Sequence, residues 1–275
     1  MQSSSVSYRG DPSTGHIVAN SATSGGKGPT KLVYDSTNQT FEWISLNLTG
    51  TREIVTLFDA KITDWVTTYT NSRFWGYVKN DPATDYKGIF RLYKSGASND
   101  ELQLSFSGFG HLRAFEPFDP MFNFLDRWVA YGVKSDPSRI PKSGIESYSG
   151  VIYGFSIDRD AGRQFDITGS VTMDIDYTGL TNTGNMQAIA TTPDGQRIQL
   201  SSGTFANAFK TDLPGLSEVR VSFIPDGMSY NNLKFGMTLF GPSAEEIAGT
   251  FDGEIRLDAT SDPIYAQGIV VMRRN

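Results

Sequence analysis

From position 31 to the C-terminus the chain alternates short apolar or aromatic runs with clusters of Gly, Pro, Asn, Asp and Ser, the punctuation of strands and turns. Residues 31–34 close on Asp35, Ser36, Thr37 and Asn38. Residues 41–48 then show a period of two: Phe41 and Trp43 share one face with Ser45, and Ile44, Leu46 and Leu48 take the other. That pair reads as a hairpin. Further strands are predicted over residues 54–60, 74–78, 89–93 and 102–109, the last with Leu102, Leu104 and Phe106 alternating with polar neighbours. A polar stretch holding Pro137 and Pro141, residues 134–144, breaks the pattern and marks a boundary. Beyond it strands are predicted over 148–155, 165–177, 186–192, 197–202, 218–224, 233–240, 250–257 and 265–272. Eight strands close a small barrel whose own side chains fill it. In 165–177 the alternation is nearly unbroken, with Ile167, Val171, Met173 and Ile175 on one face and Asp166, Thr168, Thr172, Asp174 and Asp176 on the wet one. One helical turn is predicted at 243–248, with Ser243 as its cap and Glu246 three residues on.

Composition adds exclusions. The chain has 275 residues and no cysteine, so its core must form without disulfides. Its 28 glycines and 12% aromatic residues suit strands joined by tight turns. A net charge of −6 argues against a general nucleic-acid binder, which needs clustered positive charge. No run of 18 apolar residues occurs, and Met1 is not followed by a positive head and an apolar stretch, so neither a transmembrane helix nor a signal peptide is read and a trimmed mature form is expected. Residues 1–30, rich in Ser, Gly and Thr, read as a flexible tail. Such a tail suits a lipid-anchored protein whose anchoring cysteine has been removed, and equally an ordinary disordered terminus.

Specific strings resemble a known family. Residues 240–251, Phe-Gly-Pro-Ser-Ala-Glu-Glu-Ile-Ala-Gly-Thr-Phe, are similar to the closing signature of the transferrin-binding protein B type of barrel. Residues 141–150, Pro-Lys-Ser-Gly-Ile-Glu-Ser-Tyr-Ser-Gly, resemble the approach to that barrel, and residues 107–111 and 128–133 resemble its pre-barrel strands. Together these cover the chain from about residue 31 to its end. The resemblance implies a handle domain followed by an eight-stranded barrel, lipid-anchored at the bacterial outer membrane and displayed outward. It also implies capture of an iron source or another solute carrier on behalf of a TonB-dependent receptor. The chain departs from the transferrin binders in being one lobe long, which puts transferrin itself in doubt.

Candidate chemistry is sparse. Only His16 and His111 occur, and without cysteine they leave no zinc site of ordinary ligand count. His111 reads either as a haem ligand or as a packed or surface-exposed residue. Residues 174–179 imitate the start of a calcium loop, but Asn185 stands where the bidentate Glu belongs. Glu245 and Glu246, as neighbours on a helical turn, point apart and do not make an acid/base pair. The densest apolar stretch is residues 109–128, with Phe115, Phe118, Met121, Phe122, Phe124 and Trp128. Its two readings are anchors for a partner and a plug between handle and barrel. A second aromatic group is Trp65, Tyr69, Phe74, Trp75, Tyr77 and Tyr86, of which Trp75 and Tyr77 read as core.

The reading is therefore an all-β protein: residues 1–30 a tether, 31–140 a handle-type β domain and 141–275 an eight-stranded antiparallel β-barrel. It is expected to bind rather than catalyse, without cofactor or metal, as a monomer whose membrane contact is a lipid anchor only. Expected partner-binding residues are Phe115, Phe118, Met121, Phe122, Phe124, Tyr86 and Trp65; expected partners are a TonB-dependent outer-membrane receptor and a captured protein or small molecule. The alternative is a lipocalin-like barrel carrying a small apolar molecule, where enlarging Val171 or Met173 would block binding.

Overall fold

The computed structural model describes residues 2–10, 17–23, 31–35, 40–46, 53–59, 70–81, 86–97, 99–118, 121–158, 163–192, 194–195, 197–208, 218–223, 232–255 and 264–275. Among these every regular element is a strand. The first part holds β1 (Gln2–Gly10), β2 (Ile17–Thr23), β3 (Lys31–Asp35), β4 (Thr40–Leu46), β5 (Glu53–Asp59), β6 (Phe74–Asp81), β7 (Tyr86–Tyr93), β8 (Ser107–Phe118) and β9 (Met121–Gly132). The second holds β10 (Ile145–Asp158), β11 (Arg163–Asp176), β12 (Thr181–Thr191), β13 (Arg197–Ala208), β14 (Glu218–Phe223), β15 (Asn232–Phe240), β16 (Glu246–Ile255) and β17 (Ile264–Arg274).

The second part forms one antiparallel eight-stranded sheet in the order β13-β12-β11-β10-β17-β16-β15-β14. Its outer strands, β13 and β14, approach within 8 Å between Cα atoms, so the sheet curls onto itself around an apolar interior. Inward residues of β11 (Phe165, Ile167, Val171, Met173, Ile175) meet those of β15 (Leu233, Phe235, Met237, Leu239) and of β17 (Ile264, Ala266, Val270, Met272). Asp166, Thr168, Thr172 and Asp174 are exposed, as the period of two predicts. Gly268 permits the tight curvature: a Cβ there would lie 2.6 Å from the Phe251 ring.

In the first part, β2-β1-β9-β8-β7-β6 form a six-stranded sheet and β3-β4-β5 a three-stranded one. The six-stranded sheet lies on the outside of the barrel over β10, β16 and β17. Phe74, Tyr93, Phe109, Trp128 and Ala130 from the sheet join Tyr153, Phe155, Ala248, Tyr265, Ile269 and Val271 from the barrel in one cluster. β17 is thus buried on both faces, and its Ile264–Met272 stretch is a nearly continuous apolar run instead of an alternating one.

Three expectations are corrected. Residues 1–30 are not wholly a tether: β1 runs antiparallel to β9 from Gln2↔Ala130 to Gly10↔Phe122, and β2 pairs with β1. Serine and threonine are poor core formers, but their backbones complete a ladder as well as any, and an unpaired edge at β9 is covered by them. Strand β8 begins at Ser107, not at 102, because the N–H groups of Ser105 and Phe106 are turned toward a side chain instead of a neighbouring strand. The helical turn at 243–248 is absent. Gly241 (φ +88°) and Ala244 (φ +63°) both adopt left-handed backbone, which cannot propagate a right-handed helix, and β16 already starts at Glu246. A Cβ at Gly241 would sit 2.8 Å from the Phe106 ring.

Candidate functional site

Several buried polar groups gather at the seam between sheet and barrel. Glu246, buried at the first position of β16, turns its carboxylate onto the segment before β8. It accepts from the N–H of Ser105 at 2.5 Å, of Phe106 at 3.1 Å and of Ser107 at 2.7 Å, and from the Ser107 hydroxyl at 2.7 Å. Three consecutive backbone donors on one carboxylate satisfy its charge, and charge-assisted bonds of this kind are the strong ones. The neighbouring Glu245 instead accepts from the Ser243 N–H at 2.8 Å, holding the turn. Both glutamates are structural, as their adjacency predicts, though on a strand entry turn and not a helix.

Midway along the seam, Nε2 of His111 donates to Oδ1 of Asp126 at 2.7 Å, and Nε of Arg113 donates to the same oxygen at 2.9 Å. A carboxylate only accepts, so Nε2 carries the proton of this bond. Its ring stacks on Trp128 with centroids 4.2 Å apart and planes 12° from parallel. Burial holds the imidazole below its ordinary value against the pull of Asp126. Gln267 of β17 donates to the Asp126 carbonyl at 3.3 Å, tying the barrel to the same point. His111 is therefore a packed seam residue with Nε2 engaged, the second of its two readings.

At the open edge of the seam, Tyr153 of β10 donates to Oε2 of Glu101, and Arg73 holds Oε1 of the same carboxylate at 3.1 Å. Tyr93 lies beside them, its hydroxyl 3.3 Å from the Leu102 carbonyl. Of these polar groups the sequence singles out His111, Glu245 and Glu246, but not Asp126, Arg113, Arg73, Glu101 or Tyr153. The available signal was a charge inside an apolar strand run, as at Asp126 and Arg127 between Leu125 and Trp128.

Inside the barrel, Val171, Met173, Met186, Phe235, Met237, Val270 and Met272 line a cavity of about 10 Å3. A drug-sized ligand needs roughly 300 Å3 or more. Around it the described inward side chains of β11, β15 and β17 pack together.

The sequence-selected aromatic positions fall elsewhere. Residues 109–128 form the β8–β9 hairpin, in which Phe115 pairs with Phe124 and Phe118 with Met121, while Phe122 faces Pro117. Lys87 pairs with Phe115, so Tyr86, the first residue of β7, stands at the same end of the sheet, and Phe124 and Phe122 are flanked by Tyr8 and Gly10 of β1. The backbone register thus brings Phe115, Phe118, Met121, Phe122, Phe124 and Tyr86 to one end of the six-stranded sheet; their side chains lie outside the described residues, as does Trp65 altogether. Trp128, at the other half of the hairpin, plugs the seam. Tyr77 is buried against Phe90, Leu112 and Val129 as expected, whereas Trp75 is 41% exposed under the Lys94 ammonium, 4.1 Å from its ring centroid. The 174–179 stretch ends β11 in a turn where the Asp176 carboxylate accepts from the Thr178 N–H at 2.8 Å.

Neither a protein-family profile nor a curated protein sequence matches the chain. Among solved structures it is similar to a double mutant of transferrin-binding protein B from Haemophilus parasuis, at 12% identity and a TM-score of 0.41, over 94% of this chain and 47% of that one. It is also similar to intact Ap-TbpB with its N and C lobes, at 11% identity and a TM-score of 0.39, over 99% of this chain and 46% of that one. The chain spans about half the length of these proteins. A third is HpuA from Kingella denitrificans in complex with human haemoglobin, at 11% identity and a TM-score of 0.35, over 92% of this chain and 90% of that one.

Proposed function

We propose that this protein is a non-catalytic surface protein, lipid-anchored at the bacterial outer membrane, that captures an iron-bearing protein and presents it to a TonB-dependent receptor. The ligand class comes from the family that residues 240–251 resemble. The observation that carries the reading is the register of the β8–β9 hairpin, which gathers five large apolar positions and Tyr86 at one end of a sheet packed on the barrel. The small cavity described inside the barrel supports binding on the outside. Large apolar side chains at the end of a rigid scaffold make low-entropy anchors.

The test uses immobilised human haemoglobin and iron-loaded transferrin as probes. The protein is expected to be retained by at least one of them. Phe118→Ser and Phe122→Ser are each expected to weaken retention about 30-fold, the roughly 2 kcal/mol of an aromatic anchor, with an unchanged melting temperature. Retention by neither probe, or equal retention of both variants, contradicts the proposal.

A further inference from the structure

Independently of the capture surface, the open edge of the seam brings together oxygens suited to a metal. We propose that Tyr93, Tyr153 and Glu101 form a binding site for ferric iron, with Arg73 holding an anionic co-ligand. Four separate segments supply it: Arg73 precedes β6, Tyr93 ends β7, Glu101 lies in the β7–β8 connection and Tyr153 sits on the outer face of β10. The Tyr153 hydroxyl bonds Oε2 of Glu101, and the Tyr93 hydroxyl is 3.5 Å from that same oxygen. Adjacent oxygens of an octahedral shell lie about 2.9 Å apart when each metal–oxygen bond is about 2.0 Å. Two phenols within hydrogen-bond reach of one carboxylate oxygen therefore need only small movements to share an ion.

The charges select the ion. Deprotonated, the two phenols and Glu101 carry three negative charges, which match a trivalent cation. Hard anionic oxygens favour hard cations over the soft metals that thiolates and thioethers take. Arg73, 3.1 Å from Glu101 and 3.4 Å from the Tyr153 hydroxyl, would stand as a surplus positive charge beside a neutralised centre. An anion of the carbonate or phosphate class bound to its guanidinium removes that surplus and fills open coordination positions. Access exists, because the side chains of Arg73 and Glu101 are 46% and 19% exposed while the two tyrosines behind them are buried.

Proton balance follows from the same surroundings. Burial raises both phenols well above the ordinary tyrosine range, and the Glu101 charge raises them further. Without metal both hydroxyls keep their protons and donate hydrogen bonds. Each ferric ion taken up forms two iron–phenolate bonds and releases two protons to solvent, with no change in oxidation state. Occupancy at a fixed iron activity therefore rises with pH.

The experiment titrates purified protein with ferric nitrilotriacetate in bicarbonate buffer and follows the visible charge-transfer absorbance of iron phenolate. The expected result is a band that saturates at one iron per chain and strengthens with pH. Tyr153→Phe and Tyr93→Phe should each lower its intensity at least twofold. Glu101→Gln, at a partly exposed position with little risk to folding, should weaken binding at least tenfold. Tyr131→Phe, on the opposite face of the sheet, should leave the band intact. No band in wild type, or a band that all three site variants retain in full, overturns the proposal; the latter outcome would mean adventitious iron only.

Discussion

At the residue scale the most consequential side chains are charged ones placed where water is absent. His111, Asp126 and Arg113 balance because Arg113 already offsets the Asp126 carboxylate and the imidazole stays neutral. A proton added to His111 would leave a net positive charge in the seam, near Arg91 of β7 as well as Arg113. The native imidazole thus titrates below its ordinary value of 6.5, while the unfolded chain takes up the proton near 6.5. The stabilisation is complete above that value, and it is lost as pH falls through the window beneath it, because there the unfolded state binds more protons. The slope in that window approaches roughly 1.4 kcal/mol per pH unit for one proton. Urea unfolding at pH 7.5 and 5.5 should show wild type losing about 1 kcal/mol more than His111→Gln over this interval. Parallel losses in the two proteins would contradict the assignment. The sequence showed this histidine without its partner, since Asp126 is 15 residues away and meets it only once β8 and β9 pair.

At the element scale, strands were legible because alternation is a local signal. Every strand predicted beyond residue 144 is present, with ends displaced by up to six residues, the largest at the end of β13. What failed was local chemistry overridden by long-range contact. Ser243 through Ala248 has the composition of a capped helical turn, yet Glu246 is drawn out into β16 by donors more than a hundred residues away in sequence. Residues 2–10 have the composition of a tether, yet the free edge of β9 templates them into β1. The run in β17 carried a signal that was legible: a strand without alternation is a strand buried on both sides. It identifies β17 as the wall between barrel core and seam. The Glu246 clamp predicts its own cost. Glu246→Gln replaces an acceptor with a donor facing three backbone N–H groups and should destabilise by about 3 kcal/mol in urea unfolding. Glu245→Gln, half-buried, bonded to the Ser243 N–H and 3.9 Å from the Arg274 guanidinium, should stay within about 1 kcal/mol. A Glu246→Gln variant indistinguishable from wild type would mean that the clamp is incidental to docking.

At the scale of the whole molecule, the barrel is a support packed around an apolar core and the sheet is the platform it carries. Aromatic rings of Phe74, Tyr93, Phe109 and Tyr153, with centroids 4.4–6.4 Å apart, join the two across the seam. With the clamp at one end and the tyrosine–carboxylate group at its open edge, the seam fixes where the β8–β9 hairpin projects. Of the candidate site, the sequence disclosed the apolar density of residues 115–124 but not that register would gather it with Tyr86, because cross-strand neighbours are set by pairing and not by proximity along the chain. The account predicts that partner contact is confined to that end. Hydrogen–deuterium exchange, measured on the protein alone and saturated with whichever iron-bearing probe it retains, tests this most directly. Slowed exchange over residues 115–124 and around Tyr86, with the outer wall of β11–β13 unchanged, is the predicted result; protection of that wall with the hairpin unaffected would contradict it.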